Sequence, residues 1–150
     1  MRISLAIFFS IFMSSCPTNN QDVNMITSLF KASLSGDGSE GFVKENLVIN
    51  SKEEWKEFLL KADVTNTIST EFKDAVDFKK NTILVAIDAK KTTGGFSIEI
   101  SKIIENKGKL QAIITSKGPK PTDMAMMILT QPIHIVKIPK NNKEIIFVTK

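Results

Sequence analysis

Cysteine, histidine and tryptophan each occur once in these 150 residues, and the only arginine is Arg2. Each scarcity removes a class of function. One cysteine supports no disulfide framework, so the folded part is held by its core alone. One histidine, His134, cannot build a zinc site, which needs three or four convergent ligands. It cannot serve a serine triad either, since no glycine-flanked nucleophile elbow occurs in the chain. Asp77, Asp88, Glu99 and Asp123 have no spacing that points to a catalytic carboxylate pair. Without arginine, the forked contacts that read phosphates and bases are missing, which sets nucleic acid aside as a partner. These gaps lead to the expectation of a protein that is not an enzyme and uses no cofactor or metal.

What is present begins with MRISLAIFFSIFMSS, residues 1–15: one charge at Arg2, an almost unbroken apolar run from Ile3 to Met13, then two serines. That is the layout of a signal peptide, and its run is well short of the roughly 20 residues a membrane-spanning helix needs. Met13-Ser14-Ser15-Cys16 looks like a bacterial lipobox, with methionine where leucine is usual. Cys16 is then expected to be lipidated and to hold the protein on a membrane of the bacterial cell envelope. Each acyl methylene contributes about 0.8 kcal/mol to such an anchor. Ordinary secretion with a stray thiol is the competing reading. Acylation also removes Cys16 as a catalytic nucleophile.

Residues 16–40 are polar and rich in Asn, Ser and Gly, and read as a lipidated flexible tether. Their short apolar patch, Met25-Ile26 and Leu29-Phe30, offers the alternative of a short docked helix. Residues 41–150 are expected to form a single domain. Charge divides along the chain: residues 17–78 hold six lysines against eleven acids, whereas residues 79–150 hold thirteen against five. Lysines that protect exposed strand edges explain this, and the functional alternative is a basic face for an acidic partner or an anionic surface.

Within the domain, Leu47–Ile49 suggests a first strand. SKEEWKEFLLKA, from Ser51, then opens with a capping box between Ser51 and Glu54, and places Trp55, Phe58, Leu59 and Ala62 on one helical face. Trp55 on that face reads as core. Residues 63–80 read as a connection with at most a helical turn near Phe72. NTILVAIDA, residues 81–89, is a continuous apolar run that suggests a central strand buried on both faces. Strands follow at Phe96–Ile104, Leu110–Ser116, Pro132–Ile138 and Glu144–Val148, with hairpin turns expected at Asn106–Gly108 and Pro139–Asn142. On the third of these, His134 is expected to face away from Ile133 and Ile135 as a satisfied structural side chain, a pH-responsive contact being the alternative. The methionines 124, 126 and 127 are assigned to the core, with a partner-facing role as the alternative.

The stretch Lys90-Lys91-Thr92-Thr93-Gly94-Gly95 is the candidate interaction loop. Glycines behind lysines can cradle a phosphate, but a strand of period two follows them instead of a helix. The glycines are therefore expected to supply positive φ between two strands.

The order LVINSKEEWKEFL, VDFKKNTILVAI, TTGGFSIEI, GPKP and TQPIHIVKI resembles the C-terminal domain of the protease-complex subunit PrcB family over residues 40 to 138. That resemblance implies an accessory or assembly role through protein contacts, with an exported protease as the partner class. The fold expected is α+β: an antiparallel or mixed sheet of five to six strands, packed by one main helix. The function expected is a non-enzymatic, membrane-anchored interaction domain of an exported complex. The rival is a small-ligand lipoprotein with a pocket near Trp55.

Overall fold

A computed structural model describes residues 21–22, 26–35, 38–72 and 74–150. The expected signal peptide and Cys16 lie outside the described residues. At the centre stand the two most apolar segments, β4 (Asn81–Ile87) and β7 (Thr130–Pro139), paired antiparallel with Leu84 opposite Val136. β2 (Thr27–Ser35) adds to β7 and β3 (Glu45–Ile49) adds to β4, giving a sheet ordered β2-β7-β4-β3.

Alternation along β4 explains why that run is apolar throughout. Ile83, Val85 and Ile87 face the helix α1 (Lys52–Ala62), where Ile133 and Ile135 join Trp55, Phe58 and Ala62. Leu84 and Ala86 face the other way, with Val136 and Ile138, onto a second sheet. That sheet is ordered β1 (Gln21–Asp22), β5 (Ser97–Asn106), β6 (Lys109–Lys117) and β8 (Ile145–Thr149). The molecule thus has three layers, and the middle one is buried on both faces. The capping box forms: Ser51 Oγ accepts the Glu54 N–H at 3.2 Å and the Glu54 carboxylate accepts the Ser51 N–H at 3.2 Å. Trp55 stacks on Phe58 and meets Phe72 edge-on, with ring centroids 5.5 and 5.0 Å away.

Three expectations are corrected. The strands split into two four-stranded sheets with one helix, a mostly β architecture in which only the helix-on-sheet half matches the single α+β sheet anticipated. A lone sheet would have left Leu84, Ala86, Val136 and Ile138 facing water. Residues 27–35, read as tether, form β2 along the β7 edge, because backbone pairing there needs no apolar sequence. Finally, Pro139–Asn142 is a crossover between sheets and not a hairpin: β8 lies parallel to β6. The other turn is as anticipated. Lys107 and Gly108, at φ 50 and 76°, make the tight connection of the β5–β6 hairpin.

The strands define two ends. At one, the loop end, β2, β4 and β6 finish while β3, β5 and β7 begin. At the other, the turn end, lie the 107–108 turn, the 140–144 crossover and the starts of β1, β2, β4, β6 and β8.

Candidate functional site

The loop end carries the candidate stretch Lys90–Gly95. It starts at Asp88, a buried acid whose backbone is fixed first: its N–H donates to the Pro132 carbonyl at 2.9 Å and its carbonyl accepts from Gln131 Nε2 at 2.9 Å. Its carboxylate accepts from the Ala89 N–H at 2.8 Å and faces the Lys91 and Lys44 ammoniums at 3.1 and 3.5 Å. Burial pushes this carboxyl up, but the Ala89 N–H and the two ammoniums outweigh it and hold it below its ordinary value. Lys91 also sits over the Phe96 ring, 4.9 Å from its centroid. Lys91 therefore has a structural post, whereas the Lys90 ammonium reaches the Gly38 carbonyl at 3.3 Å from an exposed position.

The rest of the stretch is stitched to the segment before β7. Lys91 and Thr130 exchange backbone hydrogen bonds of 2.8 and 3.0 Å, the Gly94 N–H donates to the Met126 carbonyl at 2.9 Å, and Thr130 Oγ1 donates to the Thr93 carbonyl at 3.1 Å. Gly94 thus contributes its N–H, and only Gly95 of the pair has positive φ, +86°. The positive φ strains any L side chain at Gly95, and a Cβ there would stand 3.2 Å from the Pro119 side chain, which would have to shift by a few tenths of an ångström. Thr92 is exposed. No helix follows the glycines, and no phosphate cradle forms around them.

Fastening the backbone this way turns the side chains outward. Met124, Met126 and Met127 are 104, 75 and 91 % exposed, with Ile128 and Leu129 about half exposed beside them. This overturns their assignment to the core: the space between the sheets is already filled by isoleucine and leucine from β4, β5, β6 and β7. Five large apolar side chains on one irregular segment form the main uncovered apolar surface among the described residues.

His134, four residues along β7 from Thr130, is spent on structure. Its Nδ1 accepts the Ile100 N–H of the opposing sheet at 2.8 Å, so the neutral ring carries its proton on Nε2, 3.0 Å from Ser28 Oγ. Burial first, then the Lys31 ammonium, keeps this ring below its ordinary value, against an upward pull from Glu99. Lys31 bonds Glu99 at 2.8 Å and holds that carboxyl below its own ordinary value. The remaining acids are engaged apart from one another. Asp77 Oδ1 accepts the Lys79 N–H at 3.0 Å and Asp123 Oδ2 accepts the Lys120 N–H at 2.7 Å, each closing its own turn. Among the described residues no group of three His, Cys, Asp or Glu side chains is placed to hold a metal ion, and no helix is long and apolar enough to cross a membrane. Trp55 is buried, its ring engaged by Phe58 and Phe72.

The model of the PrcB C-terminal family matches residues 82–139, from the second residue of β4 to the last of β7. Over this segment the chain is similar to the PrcB C-terminal family. The match is shorter than the resemblance read from residue 40 onward. It leaves out α1, β2 and β3 and keeps both of the stitched loops. No curated protein and no solved structure matches the chain. Sequence reasoning singled out the 90–95 half of this loop end and held a partner-facing role for methionines 124, 126 and 127 only as the alternative to the core. The signal was there, since five large apolar residues within six positions next to two prolines cannot continue a strand ladder. Their hydrogen bonding to Gly94 was not visible.

Proposed function

We propose that this chain is a non-enzymatic, membrane-anchored accessory module of an exported protein complex, tethered through an acylated Cys16. It docks a protein partner with the composite loop end, Lys90–Gly95 and Met124–Leu129. The family is named for a subunit that accompanies a protease, so the partner class is an exported protease. The observation that carries the reading is the exposed methionine segment pinned by its backbone to the glycine loop. Unbranched thioether side chains on a fixed backbone re-pack readily against another protein, and apolar anchors at the centre of an interface supply most of its affinity.

The test is capture. Chemical crosslinking in cells, followed by recovery of the tagged full chain, is expected to retrieve a discrete exported protein. The double variant Met126→Asp/Met127→Asp is expected to lower that recovery about tenfold, the effect of losing one anchor worth about 1.4 kcal/mol. Unchanged recovery by a folded variant, or retrieval of lipid alone by the parent chain, overturns the proposal.

A further inference from the structure

Chain direction fixes which way up the domain stands. β1 runs antiparallel to β5, with Gln21 opposite Glu105 and Asp22 opposite Ile104, so its first residue is the one nearer the 107–108 turn. β2 likewise starts at the turn end, where Thr27 lies opposite Lys137. Cys16 precedes Gln21 by five residues, and five extended residues reach no farther than about 17 Å. β5 and β7 have ten residues each, about 33 Å of strand. An acyl group on Cys16 therefore keeps the turn end beside the bilayer, and in an upright domain the methionine segment is out of its reach.

The turn end is lined with lysine. Lys79 and Lys80 precede β4, Lys107 and Lys109 flank the hairpin turn, and Lys140 and Lys143 lie on the crossover; all six are exposed. The pieces are held together, with the Lys140 N–H on the Lys80 carbonyl at 2.8 Å and the Leu110 N–H on the Glu144 carbonyl at 2.9 Å. Of the acids at this end, Asp77, Glu105 and Glu144 each face one lysine, Lys80, Lys143 and Lys109, while Glu54 accepts the Asn50 N–H at 2.8 Å and Asp74 lies near Asp77. The Lys140 ammonium donates to the Asn50 carbonyl at 3.0 Å, and Lys79 and Lys107 make no ion pair among the described residues. Lys79, Lys107 and Lys140 thus carry their charge without an ion pair among the described residues, on flexible stems, at the end where the chain enters.

We infer that the turn end is a contact surface for anionic phospholipid headgroups, which orients the domain with its loop end away from the membrane. The inference rests on the anchoring at Cys16 proposed above. Lysine suits the role, since a compact ammonium pairs with mobile phosphates without needing forked geometry. It also joins the two features into the pair of signals that stable anchoring needs, a lipid chain and a basic patch.

The test is a footprint that needs no variant. The full chain is coupled through Cys16 to a maleimide lipid, in vesicles of phosphatidylcholine alone or mixed with phosphatidylglycerol. Mass spectrometry then follows lysine acetylation and methionine oxidation. Lys79, Lys80, Lys107, Lys109, Lys140 and Lys143 are expected to react roughly threefold more slowly on the anionic vesicles, the difference vanishing at high salt. Lys117 and Lys120 are expected to keep their rates, as are Met124, Met126 and Met127. Protection of those methionines or of Lys117 and Lys120 puts the loop end in the bilayer and overturns the inference, as does an absence of slowing anywhere. The mass of position 16 in the cell-membrane fraction is a separate reading. A bare thiol there sinks the proposed anchor, while the vesicle footprint still decides the lipid-facing end.

Discussion

His134 and the Met124–Leu129 segment break the usual partition of residues in opposite senses, one polar inside and the other apolar outside, and only one of them is resolved within the molecule. The buried ring has a partner on each nitrogen, Ile100 in one sheet and Ser28 in the other, so it acts as a bracket between layers. In the exposed segment the Met126 carbonyl accepts from the Gly94 and Ile128 N–H groups, but the methionine side chains are uncovered. A buried polar group with every bond made calls for no external ligand. An apolar surface on a pinned backbone calls for one.

The interior sets the yardstick for testing this contrast. Leu84→Ala, between the sheets, is expected to cost about 2–5 kcal/mol in urea unfolding. His134→Ala comes next, at about 1–3 kcal/mol, because it leaves the Ile100 N–H buried without an acceptor. A cost near zero would mean that water replaces the ring, and the bracket reading fails. The same ring gives the stability a pH dependence. Its folded pKa lies below the unfolded value of about 6.5. The unfolded chain therefore takes up the proton first as pH falls. Stability is full above that value, declines as pH drops through it, and levels off below the folded pKa. His134→Gln, measured alongside the parent by urea midpoints from neutral pH downward, is expected to lack that decline. Gly95→Ala follows at about 1 kcal/mol, from the positive φ and the Pro119 contact. Smallest is Met126→Ser/Met127→Ser, within about 0.5 kcal/mol of the parent. A loss above 2 kcal/mol there would return those methionines to the core and erase the comparison.

Much of the fold could be read from local pattern. The 51–62 helix announces itself by its capping box and its Trp55, Phe58, Ala62 stripe, and the hairpin at 106–109 by its turn residues. β4 announces itself by an apolar run with no polar interruption. β2 could not be read this way. TSLFKASLS alternates poorly and is largely exposed, and it becomes a strand because the β7 edge offers it hydrogen bonds. The methionines misled for a related reason. Hydrophobicity states what burial would be worth, and says nothing of whether the interior has room.

The sequence by itself determined which residues turn inward along the helix and the well-patterned strands, because side-chain direction follows a period of two or 3.6 residues wherever the element lies. It also determined that one lysine-rich half follows one acidic half, and that residues 82–139 carry the PrcB C-terminal pattern. Only the tertiary structure decided that the strands divide into two sheets, that His134 joins them, and that Lys90–Gly95 and the methionines share one end while six lysines share the other. Those outcomes are pairings between residues far apart in the chain. Local periodicity specifies that a face is covered and leaves open what covers it.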